Sequence, residues 1–304
     1  MFRIGILGSD NSHADRFSEI LNRPDHPAYW PDSGAQVVAI WGQDAERTRQ
    51  VAENGRITTI VSQPQEMLGQ VDAVICVTRH GGLHRKLVTP YLEAGIPTFI
   101  DKPLAVDPDD ARAIVQTATE HGVPFSSFST VRFARSMQNY AATVSDLGGA
   151  QGAPRVGVYT GPASRRNPYG GVIFYAVHSI EMMLMIQGTG VGWVQAVEGP
   201  AVDDQGNGNI GVTCAYADGG LGTLQLTVDA HYAFTATALG REGVHFAHLD
   251  ISDCYHEGMK RILPCLRGEA DPGVTHAAMI EAVQIAAAIE RSLSENRRGA
   301  LHEL

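Results

Sequence analysis

The residues of this 304-residue chain best suited to chemistry stand together at Asp101-Lys102-Pro103. A short β-type run, Thr98-Phe99-Ile100, leads into them, and a helix start follows. Asp107 is a natural N-cap, Pro108 suits a first turn, and Asp109 and Asp110 favour the positive end of the helix dipole. Lys102 is therefore expected just past the C-terminal end of a strand, the edge at which open α/β sheets hold ligands. Taken alone, the same two charges read more readily as solvated loop residues. Arg165-Arg166, in a Pro/Gly-rich loop, is a pair able to bind a carboxylate or phosphate, though such pairs are commonly solvated. Arg132 follows the last strand of the first half and is expected to face the same cleft. His178 lies in an amphipathic helix, either as a satisfied core polar group or as a functional one. Tyr175, three residues earlier on the same helical face, has a phenol able to share proton transfer.

The elements that must position these residues begin at once. Phe2-Arg3-Ile4-Gly5-Ile6-Leu7 reads as a buried strand, and Gly8-Ser9-Asp10-Asn11-Ser12-His13 as a turn. Ala14, Phe17, Ile20 and Leu21 then mark an amphipathic helix stopped near Pro24. Strand, tight turn and helix at this place open a dinucleotide-binding βαβ unit. The usual fingerprint is G-x-G-x-x-G; here Gly8 is kept, while Asp10 and His13 stand at the second and third glycine positions. A carboxylate at the second adds like-charge repulsion toward a pyrophosphate. Asp10 is expected to cap the helix instead, with Asn11, Ser12 and His13 beside the phosphates. The second strand, 36–41, ends in Gly42-Gln43-Asp44, so glycine stands where NAD-preferring folds place an acid. Arg47 and Arg49 follow on the next helix, and the choice between NAD and NADP stays open.

A helix over 45–54, a strand over 58–61 and a turn-helix over 63–68 come next. The nearly continuous apolar run 71–77 fits a parallel sheet covered on both faces. It ends in Thr78-Arg79-His80-Gly81-Gly82-Leu83-His84, and a helix and the strand 98–100 lead to Lys102. A strand over 123–127 closes this half. The alternation predicts a doubly wound parallel sheet, with a Rossmann-type dinucleotide-binding domain over 1–125. Residues 126–304 predict an α+β domain with a large, mainly antiparallel open sheet, for substrate binding and oligomerisation. Its strands are expected at 155–160, 191–197, 210–216, 222–228, 234–239 and 244–249, with a hairpin at Ala217-Asp218-Gly219-Gly220. One helix, 172–186, interrupts them and another, about 275–296, ends the chain.

The net charge of −10 argues against nucleic acid and anionic membrane as partners. No apolar run approaches membrane-spanning length and no signal-peptide pattern opens the chain. Cys76, Cys214, Cys254 and Cys265 are scattered, as expected of reduced thiols in the cytoplasm, and the twelve histidines show no metal spacing.

A Rossmann-type half with Asp101-Lys102-Pro103 after its fifth strand, followed by an open antiparallel half, resembles the Gfo/Idh/MocA family of nicotinamide-dependent oxidoreductases. The family's Glu-Lys-Pro motif is similar to Asp101-Lys102-Pro103, and its Thr-Pro-Asn-x-x-His segment to Thr78 through His84. Its catalytic-helix motif is similar to Gly170-Gly171 through His178 and Glu181. The resemblance implies NAD or NADP as cofactor, bound through Gly8, Asp10, Asn11, Ser12, His13, Thr78, His84, Asp101, Lys102 and Pro103. It implies His178 as acid/base, Lys102 polarising the same oxygen, Asp101 holding the lysine, and a sugar, polyol or related hydroxy compound as substrate. Phe174 stands where many members place an aspartate, so the histidine lacks its usual acidic companion. A homo-oligomer, dimer or tetramer, through the C-terminal sheet is expected. Two alternatives accompany this reading: transient sugar oxidation by a retained nicotinamide during elimination or glycosidic cleavage, and a non-catalytic sensor with a degenerate nucleotide site.

Overall fold

The computed structural model describes residues 1–148, 152–271 and 273–304. In chain order the strands are β1 (Phe2–Leu7), β2 (Ala35–Trp41), β3 (Thr59–Ile60), β4 (Ala73–Cys76), β5 (Thr98–Asp101), β6 (Phe125–Phe128), β7 (Val156–Pro162), β8 (Val191–Glu198), β9 (Ile210–Tyr216), β10 (Leu221–Thr227), β11 (Phe234–Gly240), β12 (Gly243–Leu249) and β13 (Gly299–Ala300). The helices are α1 (Ser12–Asn22), α2 (Ala45–Asn54), α3 (His84–Glu93), α4 (Pro108–Glu120), α5 (Arg135–Val144), α6 (Ile173–Gln187), α7 (Cys254–Leu266) and α8 (His276–Glu295).

The chain divides into two compact units. The first comprises Met1–Ala105, Asp109–Phe128 and Tyr255–His276; the second comprises Val106–Pro108, Ser129–Cys254 and Ala277–Leu304. These bounds differ from the single division at 125/126 expected from sequence, because β6 completes the first sheet and residues 255–276 return to that unit. Helices α5 and α7 are further departures from expectation. The apolar positions of α5 are few (Met137, Tyr140, Val144), and α7 carries Pro264 inside it, so neither announces itself by period.

The first unit is built on a six-stranded parallel sheet in the order β3-β2-β1-β4-β5-β6. Strands β4, β5 and β6 are buried at every residue, the consequence of helices on both faces. Leu7 pairs with Cys76, Cys76 with Ile100, and Asp101 with Phe128, so the turns after β1, β4 and β5 emerge side by side. Strand order reverses between β1 and β4, and such a switch point leaves a crevice at the carboxyl ends of the strands.

The second unit holds a seven-stranded sheet in the order β12-β11-β7-β10-β9-β8-β13, antiparallel except where β7 meets β10. One face is covered: Tyr159, Leu224, Ala236 and Ala238 are fully buried, α6 packs on β7, and the Ala196 amide of β8 donates to the Ser292 hydroxyl of α8 (2.9 Å). On the other face Leu239 pairs with both Val244 and Val156, and Val156 with Leu221. This row of apolar side chains, with Phe246 beside it, is substantially exposed.

Candidate active site

In the first unit the site is built around the turn after β1. Gly8 has φ +110°, and a Cβ there would stand 2.7 Å from the Thr78 amide nitrogen, so only glycine lets the β1 and β4 turns approach this closely. The cap of α1 is Asn11, whose Oδ1 accepts from the His13 amide (3.2 Å), and not Asp10 as expected. The Asp10 carboxylate accepts instead from the Arg79 amide (3.2 and 3.4 Å), which turns its charge onto the neighbouring β4 loop.

Asp101, at the end of β5, is 1 % exposed. Its Oδ2 lies 2.6 Å from His13 Nδ1 and accepts from Asn11 Nδ2 (3.5 Å), while its Oδ1 is buried with no hydrogen-bond partner among the described residues. The far nitrogen of His13, Nε2, is 2.9 Å from the Tyr255 hydroxyl. Carboxylate, imidazole and phenol thus form one chain through β5, α1 and α7. His13, the apparent defect of the glycine fingerprint, is the link that holds Asp101. Lys102 follows, 4 % exposed. Nothing local in the sequence marks Tyr255, which lies 242 residues from His13.

His84 is fully buried, with Nδ1 3.1 Å from the Leu104 carbonyl and Nε2 3.0 Å from the Thr78 carbonyl. Its ring ties the loop after β4 to the loop after β5, and burial pushes its pKa below the usual histidine range. Ser12 opens α1. Pro103 packs so closely on the next loop that a Cβ on Gly81 would lie 2.9 Å from its Cγ.

The glycine at the end of β2 also has a physical cause. Ser9 and Thr48 share a buried hydroxyl pair (2.8 Å), and a Cβ at position 42 would fall 2.0 Å from Ser9 Oγ and 2.4 Å from Thr48 Oγ1. Asp44 is the N-cap of α2, accepting from the Arg47 amide (2.7 Å). The Arg47 side chain reaches back to donate to the Ser9 carbonyl (3.1 Å) and to pair with Asp15.

In the second unit, His178 stands on α6 with 7 % of its surface exposed. Ser129 Oγ lies 2.6 Å from its Nδ1, and the Ser129 amide donates to both carboxylate oxygens of Glu181 (3.0 and 2.9 Å), one turn along the helix. Phe234 meets the imidazole edge-on at 5.5 Å, and the Tyr175 ring lies 6.4 Å from it. Arg132 is half-buried and donates to the Glu181 carbonyl (3.2 Å); desolvation lowers its pKa, against the charge of Glu181. The structure therefore gathers Arg132, Tyr175 and His178 around one stretch of α6. Ser129 was not expected there, although its type at the head of a short turn is a capping signal.

Arg165 and Arg166 are placed differently. Arg165 donates to Glu290 (3.0 Å) and the Ser294 hydroxyl (2.7 Å) on α8, and Arg166 bonds the Gly206 carbonyl. Both lie within 3.7 Å of Glu198. Glu290 also accepts from the Val172 amide (3.1 Å), so this cluster fastens the loop that starts α6. Among the described residues no group of three His, Cys, Asp or Glu side chains is arranged for a metal ion, and no helix is long and apolar enough to cross a membrane.

Residues 2–129 match the family model described as an oxidoreductase family with an NAD-binding Rossmann fold. Over 116 residues, 38 % of this chain and 32 % of the relative, the sequence is 32 % identical to inositol 2-dehydrogenase from Corynebacterium glutamicum (strain R). Over 133 residues, 43 % of this chain and 35 % of the relative, it is 32 % identical to D-apiose dehydrogenase from Paraburkholderia graminis. The matched stretch thus spans about a third of the length of these curated relatives. Across 99 % of both chains, the fold superimposes with a TM-score of 0.85 and 14 % identity on scyllo-inositol dehydrogenase from Lactobacillus casei, solved with NAD(H) and scyllo-inositol. Residues 2–129 are therefore similar to the NAD-binding Rossmann fold of this oxidoreductase family, and the chain as a whole shares the two-part fold of that solved dehydrogenase.

Proposed function

We propose that the protein is an NAD(P)-dependent dehydrogenase or reductase that moves a hydride between the nicotinamide and a secondary alcohol of a polyol or sugar. The observation that carries this reading is Lys102, buried at the carboxyl edge of the parallel sheet beside an Asp101 that is itself locked by His13. The inositol and apiose dehydrogenases among the relatives support the substrate class.

The residues present fit a dinucleotide. Gly8 gives the close turn, and the backbone at Asn11, Ser12 and His13 opens α1, where the helix dipole favours a pyrophosphate. The turning of Asp10 onto the Arg79 amide relieves part of the repulsion its charge would bring. Thr78, Asp101 and Pro103 line the neighbouring turns. When bound, the nicotinamide supplies the hydride donor or acceptor. Lys102 steadies the negative charge that develops on the reacting oxygen, and His178 hydrogen-bonds and exchanges its proton. We assign the exposed apolar face of the second sheet to a homo-oligomer contact, since an open patch of this kind is otherwise an aggregation liability. The reading places the protein in the cytoplasm, with its four cysteines reduced.

The test is fluorescence titration of the purified protein with NADH and NADPH, followed by absorbance assays with inositols and apiose. Micromolar binding of one cofactor and turnover of a polyol are expected. Lys102→Ala is expected to retain binding and lose about a hundredfold in kcat. A folded protein that binds neither cofactor defeats the proposal.

A further inference from the structure

We infer that Ser129 is the positioning residue that sets the tautomer of His178, keeping the imidazole proton on Nε2. Ser129 is fully buried and heads the short 3-10 turn Thr130–Phe133. Its amide is clamped by both oxygens of Glu181, so its backbone is fixed to α6 next to the histidine it faces. Its Oγ accepts from the Val131 amide (3.2 Å) and lies 2.6 Å from His178 Nδ1.

A hydroxyl has one proton to give. With Val131 donating into the oxygen, the acceptor recorded for the Ser129 proton among the described residues is His178 Nδ1. Were the imidazole to carry its proton on Nδ1, it would donate to Oγ and strand the serine proton in the interior without an acceptor. Stranded buried donors are strongly disfavoured. The serine therefore donates to Nδ1, and the neutral ring holds its own proton on Nε2. A carboxylate companion does the reverse, since it accepts from Nδ1–H and favours the charged ring. Phe174, at the position where such a carboxylate is expected, instead meets Tyr175 edge-on and Tyr169 at a tilt. The catalytic consequence rests on the dehydrogenase reading above: the resting ring meets the substrate oxygen as a neutral N–H donor.

Long-range 1H–15N spectra of the full chain labelled at histidine report which ring nitrogen holds the proton, with His178 assigned by its absence in His178→Gln. At about pH 8, above the ordinary histidine pKa, a protonated Nε2 and a bare Nδ1 are expected. A proton on Nδ1, or on both nitrogens, overturns the inference. Ser129→Ala is expected to abolish the preference, and Ser129→Thr, which keeps the hydroxyl, to preserve it. An unchanged ring in folded Ser129→Ala also overturns it. If a keto sugar is reduced, Ser129→Ala should lower kcat at least about tenfold with cofactor affinity unchanged, and Ser129→Thr should restore it. The expected tautomer in a protein without turnover removes the dehydrogenase reading and leaves the assignment of Ser129 standing.

Discussion

His13 Nδ1 lies 2.6 Å from the Asp101 carboxylate, joining the first turn of α1 to the end of β5. The third fingerprint position, where glycine usually lets helix and strand approach, is thus occupied by a side chain that bridges them. His13→Gly restores the usual residue and should nonetheless cost roughly 3 kcal/mol, because it leaves a buried carboxylate without its neighbour. Asp101→Asn in the same background should recover part of that loss. Thermal melts of the two single variants and the double variant measure the coupling, and simple additivity would show that the pair is not coupled.

Gly42→Asp also restores a familiar residue, the ribose-binding acid. It is expected to destabilise by about 1–3 kcal/mol and to gain no NADH affinity, since Ser9 and Thr48 occupy the space of its Cβ. Combined with Ser9→Gly and Thr48→Ala, which together vacate that space, the acid should be tolerated. Melting temperatures and NADH titrations of the three proteins decide the point.

His84 makes stability depend on pH. Burial lowers its folded pKa below the value near 6.5 of the unfolded chain, so below that pH the unfolded state binds a proton that the folded state refuses. Stability contributed at this position is complete above about pH 6.5 and falls as pH drops through that value. Melts of wild type and His84→Gln between about pH 8 and 5.5 should converge toward the acid end, a window above the titration of ordinary carboxylates. Parallel curves would deny His84 this role.

The exposed row on the second sheet predicts association. Phe246→Lys with Val244→Lys should leave the melting temperature nearly unchanged and shift sedimentation toward smaller species. An oligomer of the same mass in the double variant would place the contact elsewhere.

The parts of this architecture readable from sequence are those with local causes. Ala73–Cys76 is a buried parallel strand because every residue of it is apolar, and Asp101 ends β5 with Lys102 just beyond because strand and helix signals bracket them. Gly8 was legible as a tight turn. The partners of the site residues were not, because they come from far along the chain: Ser129 lies 49 residues from His178, and Tyr255 arrives on a helix whose apolar period is broken by Pro264. Asp10, His13 and Gly42 read as losses against the fingerprint. Each is instead required by a neighbour that only the folded chain supplies: the Arg79 amide, Asp101, and the Ser9–Thr48 pair.

The return of residues 255–276 to the first unit bears on how the protein is made. Tyr255 closes on His13, Trp30 meets His256, and Arg267 lies over the Phe2 ring while donating to the Ser33 carbonyl. A ribosome that has released the first 128 residues has therefore not yet released all the material of that unit. Strands β7 to β12 of the second unit are synthesised in between, so the emerging first sheet waits with part of its surface uncovered. Completion of the first unit thus waits for residues 255–276, and its slow, long-range closure is a stage at which the nascent chain is open to chaperone capture.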